Sequence, residues 1–429
     1  MVGEPIEQRG VSFVGFHDLD GRPAFKIAQQ VVGDRRYLYL ADFWTSGWSI
    51  LDVTDPTDPE FVRHIEGPKN TFTLQVQVAD GLMVTSLESP RIRDPVNTTE
   101  YGLPDYDPAD PYEAGAYVWD VESDPTDPTL LGQYELDGDG THRNFYTGGD
   151  YMYMCAGLDG FEGKCLTVVD ISDPTKPEEV AQWWWPGQAP HETADERYYA
   201  HGPAYRRGDR LYLSYGSVGA LILDISDETD PELLGRLDFG DFGSWLGTHS
   251  AIPVPGRDLM VVNTEAINEG TPFEREGGEP VNYVVLVDIS EVEDPHFDGK
   301  RQVGPRIVSS FPLPTPESDA PYDSYYERPG RFGPHNQHHA RGESARLQTD
   351  EYVVMSYFNA GLRLFDISDP LQPSEVGHYV AANPESRVGT PRPGTGLVST
   401  FEDVVVDDRG YIYCTDPQQG LFVLESEYF

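Results

Sequence analysis

The chain has 429 residues, a formal net charge of −43 and only five lysines, so arginine supplies most of its positive charge. Such a surface repels itself at low salt and stays hydrated in concentrated salt, which favours adaptation to a salt-filled cytoplasm. The alternative, one acidic region for a basic partner, is weaker because the acids are spread along the whole chain. The charge argues against nucleic acid and anionic membrane surfaces as partners, since both attract Lys and Arg patches.

The sequence shows no signal for export or membrane insertion. No apolar run is long enough to cross a bilayer, and the start MVGEPIEQRG lacks a basic segment followed by an apolar one. We therefore expect a soluble cytoplasmic protein. Three cysteines are too few for a disulfide framework. We expect buried free thiols, with a bridge between Cys155 and Cys165 as the alternative.

One phrase recurs along the chain: a short apolar run, an acid and then a turn of the type Asp-Pro-x-x-Pro. In chain order the copies are SILDVTDPTDP, YVWDVESDPTDP, LTVVDISDPTKP, LILDISDETDP, VVLVDISEVEDP, LRLFDISDPLQP and the final LFVLESEYF. The prolines cannot donate to a sheet ladder, so they end each strand at a tight turn. Seven copies at this spacing indicate a repeat architecture rather than separate domains.

Each copy has strands on both sides. Runs such as RYLYLAD, YMYMCAG and RLYLSYG precede the apolar run, and runs such as EFVRHIEG and SEVGHYV follow the prolines. Four strands per unit predict the blade of a β-propeller. We therefore predict an all-β, seven-bladed β-propeller formed as one domain by residues 1–429. The expected blades are residues 23–66, 72–136, 141–184, 200–238, 248–312, 338–380, and 399–429 completed by 11–19.

The last unit stops after its third strand, and the first strand of the chain can replace the missing fourth. VSFVGFHDL, residues 11–19, reads like the outer strand SEVGHYVAA of the preceding unit. We expect this N-terminal strand to complete the last blade and to close the ring, which removes an open sheet edge.

The phrases LTVVDISDP, LILDISDET and LRLFDISDP resemble the LVIVD-repeat propeller family, in a halophilic and acidic form. The resemblance covers nearly the whole chain and implies the propeller fold. It implies little about activity, because propellers carry many functions.

The long connections are predicted to lie on one face of the ring. They are residues 88–115, 186–199, 265–281, 313–334 and 381–398, and all of them join second to third strands or one blade to the next. Long loops in a compact domain commonly form lids or binding surfaces, so we place the functional face there. The alternative is that these Pro- and Asp-rich loops are simply solvated.

Histidines recur at the beginning of the innermost strand. His142, His201 and His249 each lie seven residues before a turn glycine, and His335, His338 and His339 compete for the same place in blade six. Successive blades would thus direct imidazoles towards the axis. We predict His142, His201, His249, His335 and His338 as ligands of a divalent transition metal, Fe, Cu, Mn or Zn. The alternative is that these histidines bind channel water and neighbouring blades.

Two carboxylates and three arginines accompany the histidines. Glu402 lies at the matching position of blade seven, and Glu265 ends a second strand at the same face. Either can serve as a catalytic acid or base, or can orient a ligand. Arg143, Arg331 and Arg341 lie beside the histidines in the sequence, which leaves room for an anionic ligand.

A second set of histidines shares a different repeat position. His17, His64 and His378 fall on outermost strands, where packing and solvent suffice to explain them. A shared position therefore does not prove a shared function.

Two functions follow from these features. The first is a metal-dependent enzyme, an oxidoreductase or lyase acting on a small molecule at the upper mouth of the channel. Carotenoid-cleaving oxygenases and selenium-binding, thiol-oxidising propellers resemble this arrangement, although their motifs do not match. The alternative is a noncatalytic scaffold that binds a protein, peptide or glycan on the loop-rich face. In either case we expect a monomer.

Overall fold

The structure, a computed structural model, describes residues 3–42, 45–90, 109–192, 199–238, 248–265, 283–292, 304–341, 345–388 and 396–429. Within these ranges the strands form seven antiparallel sheets of four strands each. Each sheet packs against the next around a closed ring, so the predicted seven-bladed β-propeller is confirmed. Large parts of the predicted long connections, such as residues 91–108 and 266–282, lie outside the described residues.

The chain begins with two strands that pair with its far end, β1 (Pro5–Arg9) and β2 (Val11–His17). Blades one to three then follow in chain order. Blade one contains β3 (Ala24–Val32), β4 (Arg35–Asp42), β5 (Gly47–Asp52) and β6 (Glu60–Glu66). Blade two contains β7 (Val76–Ala79), β8 (Leu82–Leu87), β9 (Gly115–Asp120) and β10 (Thr129–Glu135). Blade three contains β11 (Gly138–Phe145), β12 (Tyr151–Leu158), β13 (Cys165–Asp170) and β14 (Glu178–Trp183).

Blades four to seven continue the ring. Blade four contains β15 (Tyr205–Arg207), β16 (Arg210–Ser214), β17 (Ala220–Asp224) and β18 (Glu232–Leu237). Blade five contains β19 (Ser250–Pro253), β20 (Leu259–Asn263), β21 (Val284–Asp288) and β22 (Arg306–Ser310). Blade six contains β23 (Tyr352–Ser356), β24 (Leu362–Asp366) and β25 (Ser374–Ala381). Blade seven contains β26 (Asp403–Val406), β27 (Tyr411–Asp416) and β28 (Gly420–Ser426).

The inner strands are apolar on both sides because each blade lies between two others. In β4, Leu38 and Leu40 pack towards blade seven, whereas Tyr39 and Ala41 pack towards blade two. Successive side chains of a strand point to opposite faces, so a fully sandwiched strand must be apolar at every position. This explains why the repeats read as continuous apolar runs rather than alternating ones.

The recurring acids hold the turns between the third and fourth strands. In blade one, Asp52 accepts a hydrogen bond from the backbone N–H of Thr54, and Asp55 accepts from both the N–H and the hydroxyl of Thr57. The same Asp-to-Thr pair recurs at Asp173. The repeat motif is therefore a turn motif, stabilised by side-chain to backbone hydrogen bonds.

The N-terminal strand closes the ring as expected. β2 pairs antiparallel with β28 from Val11 opposite Ser426 to His17 opposite Leu421. The preceding strand β1, which the sequence did not indicate, pairs with the outer edge of β25 in blade six. The chain start thus covers the outer edges of two neighbouring blades.

The innermost strands all begin on one side of the ring, which we call the upper face. At the opposite, lower end of the central channel, Arg341 and Ala345 contact different blades. The backbone N–H of Arg341 donates to the hydroxyl of Tyr205 in blade four, and Gln29 of blade one donates to the carbonyl of Ala345. These two residues therefore lie beside the lower opening of the channel.

Candidate metal centre at the upper mouth

Three histidines lie next to the axis in three successive blades. His201 and His249 precede β15 and β19, and His335 lies on the segment that bridges to the inner edge of β23 through Gln337 and Met355. The backbone N–H of each donates to the strand beside it, His201 to Ser214, His249 to Asn263 and His335 to Ser356. All three side chains are buried. Since the innermost strands of a propeller surround the axis, this equivalent position brings the three rings together: the ring centres lie 4.5 Å apart between His201 and His249 and 4.7 Å apart between His249 and His335.

Glu265 lies between these three rings. Its Oε2 is 3.4 Å from Nε2 of His201 and 3.6 Å from Nε2 of His249, and its Oε1 is 3.7 Å from Nε2 of His335. His201, His249 and Glu265 each offer a ligand atom within 4.8 Å of the others. The structure thus brings together three of the five predicted histidine ligands and one of the two predicted catalytic carboxylates.

Arg331 fixes the orientation of Glu265. Its Nη1 lies 3.0 Å from Oε1 of Glu265, and its Nη2 lies 3.4 Å from the carboxylate of Glu402. The guanidinium is stacked over the ring of Phe358, with its central carbon 3.9 Å from the ring centre. Arg331 therefore holds one oxygen of Glu265 and leaves Oε2 facing His201 and His249.

Glu402, the second predicted carboxylate, lies behind His335 rather than among the rings. The Nδ1 of His335 donates to the main-chain carbonyl of Glu402 at 2.6 Å, and the Glu402 carboxylate is 3.2 Å away. Phe358 stacks on the imidazole with ring centres 4.4 Å apart. The hydrogen bond to the Glu402 carbonyl fixes the tautomer of His335 and directs its Nε2 lone pair towards Glu265. Such a hydrogen bond commonly supports a metal-bound histidine.

Tyr199 gives His201 a similar support. Its hydroxyl is 3.3 Å from Nδ1 of His201. Among the described residues, Nε2 of His201 makes no hydrogen bond although it is buried. A buried ring nitrogen without a hydrogen bond is costly, so a ligand at this position would relieve that cost.

The third ring, His249, contacts a cation. Its Nε2 accepts a hydrogen bond from Nη2 of Arg143, and its Nδ1 has no hydrogen-bond partner among the described residues. A metal that binds Nε2 of His249 must displace this hydrogen bond.

Burial keeps the three rings uncharged. It lowers the pKa of His201, His249 and His335 well below the usual value, and the positive charge of Arg143 lowers each of them further. A neutral imidazole offers a lone pair to a metal, whereas a protonated one does not.

His142 lies beside this group but belongs to a separate contact. Its ring centre is 5.1 Å from that of His201, and its Nδ1 is 2.8 Å from Oε2 of Glu88. The other oxygen of Glu88 accepts from Lys164 at 2.7 Å. Burial alone would raise the pKa of Glu88, but His142 and Lys164 together lower it to about 2. The carboxylate is therefore ionised and anchors His142 at the rim of the site.

His338 is not part of the group, in contrast to the prediction from sequence. Its Nε2 donates to the carbonyl of Leu347 at 3.0 Å, and its Nδ1 accepts from the backbone N–H of Val406 at 3.1 Å. Both ring nitrogens are thus used within the protein. The reason is its position along the segment: the backbone N–H of His335 donates to Ser356, whereas that of His338 donates to Val354, so the ring of His338 reaches Val406 and not Glu265. His335 therefore occupies the position that the sequence left open.

Sequence reasoning missed Tyr199, Glu88 and Lys164. A signal existed for one of them, since Glu88 ends the second strand of blade two as Glu265 ends that of blade five. Nothing comparable marks Tyr199 or Lys164, because both lie in or beside connections of irregular length. The cysteines are free and buried, so the predicted thiols are found and the alternative bridge between Cys155 and Cys165 is not.

Fold and repeats define the class: a seven-bladed β-propeller that contains LVIVD repeats. Four segments match the LVIVD repeat model, residues 27–66, 143–183, 207–238 and 350–381. They fall in blades one, three, four and six, where the recurring apolar phrase was found.

Solved structures with the same architecture differ widely in sequence. The β-propeller domain of Cps50 (Swd1) from Myceliophteria thermophila is 11% identical, with a TM-score of 0.52 over 94% of this chain and 97% of that one. The WD40 repeats of RRP9 are 8% identical, with a TM-score of 0.53 over 98% and 99% of the two chains. The structure of U3-55K is 9% identical, with a TM-score of 0.53 over 97% and 98%. These similarities show the fold alone.

No protein of curated function matches the chain in sequence. Within the residues that the structure describes, none of the helical segments is long and apolar enough to cross a membrane.

Proposed function

We propose that the chain is a metal-dependent enzyme, an oxidoreductase or lyase that acts on a small molecule at the upper mouth of the channel. The observation that carries this proposal is the convergence of three buried, neutral imidazoles on one carboxylate, with Nε2 to Oε distances of 3.4, 3.6 and 3.7 Å. Nε2 of His249 accepts from Arg143, and His335 donates through Nδ1, so neither Nε2 carries a proton for the carboxylate and a cation between them would stabilise the group.

His201, His249 and Glu265 would hold the ion, with His335 as the further imidazole beside them. Nitrogen and carboxylate donors of this kind suit Fe, Cu, Mn or Zn. A bound metal would supply Lewis acidity or redox chemistry at the mouth. The chain itself contributes an ordered donor set, because the backbone N–H of each histidine donates to the neighbouring strand. Tyr199 supports the ring of His201, and Glu402 supports the ring of His335.

Access to this centre would be from the upper face. Arg341 and Ala345 lie beside the lower opening, so a small molecule would enter from above, where His142 and Lys164 form part of the rim. Of the histidines at the mouth, His142 is the one with appreciable exposure, since its side chain is 22% accessible compared with 5% or less for His201, His249 and His335. An incoming ligand would therefore meet the rim before the buried rings.

Metal analysis of protein purified at high salt tests the proposal. We expect one equivalent of a transition metal in the wild type and loss of that metal in the double variant His201→Ala/His249→Ala. The matched control is His191→Ala, an exposed histidine on a described part of a connection, which should keep its metal. Metal-free wild-type protein that also fails to bind added Fe, Cu, Mn or Zn would contradict the proposal and favour a noncatalytic binding role.

A further inference from the structure

Arg143 lies at the floor of the candidate metal centre and is 98% buried, with a relative exposure of 2%. Its guanidinium donates to two neutral acceptors, Oδ1 of Asn336 at 2.9 Å and Nε2 of His249. Its Nε makes no hydrogen bond. Among the residues that the structure describes, no carboxylate lies within ion-pair distance of this group.

A buried charge without an opposite charge is unusual because desolvation costs several kcal/mol. Arg331, the other arginine of the site, shows the ordinary solution: it pairs with both Glu265 and Glu402. Arg143 lacks this compensation although it lies in the same small volume. The guanidinium of Arg143 thus has no direct carboxylate acceptor among the described residues, and a bound anion would supply one.

The position of Arg143 is built rather than incidental. Asn336 accepts from Nη1 of Arg143, and its own amide donates to the main-chain carbonyl of Glu402 at 2.7 Å. One edge of the guanidinium is thereby anchored. The opposite edge, formed by Nε and Nη2, is left with the His249 nitrogen as its only acceptor among the described atoms.

The surroundings of Arg143 are positive as well. Lys26 is buried nearby and pairs with Asp403 at 2.7 Å. Burial, together with the charges of Arg143 and Arg341, lowers the pKa of Lys26 to about 8 against the opposing effect of Asp403. In a chain with a net charge of −43, the proximity of Arg143 and Arg341 to Lys26 beneath the histidines would favour an anion there.

We propose that Arg143 binds the carboxylate of the small molecule that this site accepts. The Nε and Nη2 edge of a guanidinium matches the two oxygens of a carboxylate, which is a strong and directional pair. In metal-free protein Nη2 can pass from the neutral nitrogen of His249 to a carboxylate oxygen, because a charged acceptor forms the stronger hydrogen bond. A metal on Nε2 of His249 would release Nη2 as well, so metal and carboxylate would occupy adjacent positions. The substrate class is accordingly a small carboxylic acid.

This inference rests on the proposed function for the place of reaction, but carboxylate binding can be measured without metal. The experiment titrates sodium oxalate and sodium acetate into chelator-treated full-length protein at constant KCl, followed by calorimetry and by the thermal midpoint. We expect saturable binding and a raised midpoint in the wild type, because a ligand that binds only the folded state stabilises it. Arg143→Gln should weaken oxalate binding at least tenfold.

Two further variants complete the design. Arg143→Lys keeps the charge but lacks the planar fork, so it should fold and still lose most of the oxalate affinity. Arg206→Gln, which removes a partly exposed arginine that pairs with Glu228, should bind oxalate like the wild type. If Arg143→Gln does not fold, Arg143→Lys carries the comparison.

Each outcome decides a separate point. Unchanged oxalate binding in both Arg143 variants, or no binding of either carboxylate by the wild type, would overturn the inference. Binding of phosphate or sulfate in place of the carboxylates would overturn the substrate class. Carboxylate binding through Arg143 in a protein that takes no metal would contradict the proposed enzyme but support the anion site, so the two failures are distinguishable.

Discussion

The inner and outer histidines of this propeller obey the same repeat and differ in what surrounds them. His201, His249 and His335 share one carboxylate at the axis. On the outer strands, His64 lies 3.7 Å from Asp42 and His378 lies 3.0 Å from Glu375. Each outer ring thus has a carboxylate of its own.

The reason lies in the geometry of the ring. Innermost strands converge on the axis, so equivalent residues of neighbouring blades meet, whereas outermost strands diverge and their equivalents stay apart. His17, the third outer histidine, stacks on Phe61 and accepts from the backbone N–H of Leu19. Repeated residues are therefore brought together only at the radius where the blades approach each other.

We expect the largest effect on metal binding when the carboxylate of Glu265, which the three inner histidines share, is removed. Glu265→Gln keeps the shape of the side chain but takes away the negative charge that faces three rings, so metal retention should fall by at least about 100-fold. The measurement is metal content after dialysis against a weak chelator. Glu375→Gln, the matched change beside an outer histidine, should leave the metal content unchanged, and equal losses in both variants would contradict the distinction.

We expect a smaller effect on metal affinity from the loss of the Tyr199 hydroxyl that supports His201. Tyr199→Phe removes the hydroxyl next to Nδ1 of His201 and should weaken metal affinity by about 10–100-fold, as changes behind a metal ligand commonly do. Competition with a chromogenic chelator measures this affinity. Tyr153→Phe removes a buried hydroxyl that donates to Glu228, away from the site, and serves as the control. A loss of stability without any change in affinity would show that Tyr199 only packs.

Gly202, next to His201, lies where blades three and four pack closely, and its substitution tests how tight this packing is. Gly202 has φ +80°, and a Cβ there would lie 2.9 Å from Sγ of Cys155 and 3.1 Å from Cβ of Arg143. Gly202→Ala should lower the free energy of unfolding by about 2–3 kcal/mol through strain and overpacking. Gly208→Ala has a similar φ of +62° but open space around it, so its cost should be about 1 kcal/mol in the same denaturant titration. Equal costs would show that the close approach is relaxed easily.

The smallest expected effect is a pH-dependent change in the free energy of unfolding at Asp42, beside the outer histidine His64. Burial raises the pKa of Asp42 from 3.8 to about 7, so the folded state binds a proton more tightly than the unfolded state does. Stability from this group is therefore highest below pH 4 and falls as the pH rises towards 7. Asp42→Asn should remove the penalty, and its free energy of unfolding should exceed that of the wild type by about 1–2 kcal/mol at pH 8.

Denaturant titrations at pH 8 and pH 5 measure this difference. We expect the advantage of Asp42→Asn to shrink at the lower pH, while metal content stays the same at pH 8. An advantage that is independent of pH would mean that Asp42 does not titrate in this range.

The architecture could be read from local chemistry. Asp and Pro determine their turns through contacts within a few residues, as at Asp52 and Asp55, and continuous apolar runs require burial on both faces. Such signals repeat in every blade and reinforce one another. The strand β1 escaped prediction because its place on blade six is set by a distant edge, opposite residues 378–381, and not by any feature of PIEQR itself.

The sequence by itself determined the seven blades, their closure by residues 11–17 and the equivalent positions of the inner histidines. Only the tertiary structure decided that His335 and not His338 faces Glu265, that Glu402 supports rather than surrounds the centre, and that Arg143 is buried without a carboxylate. These choices depend on distances between side chains of different blades. A repeat specifies where each strand begins, but contacts across the axis exist only after the ring has closed.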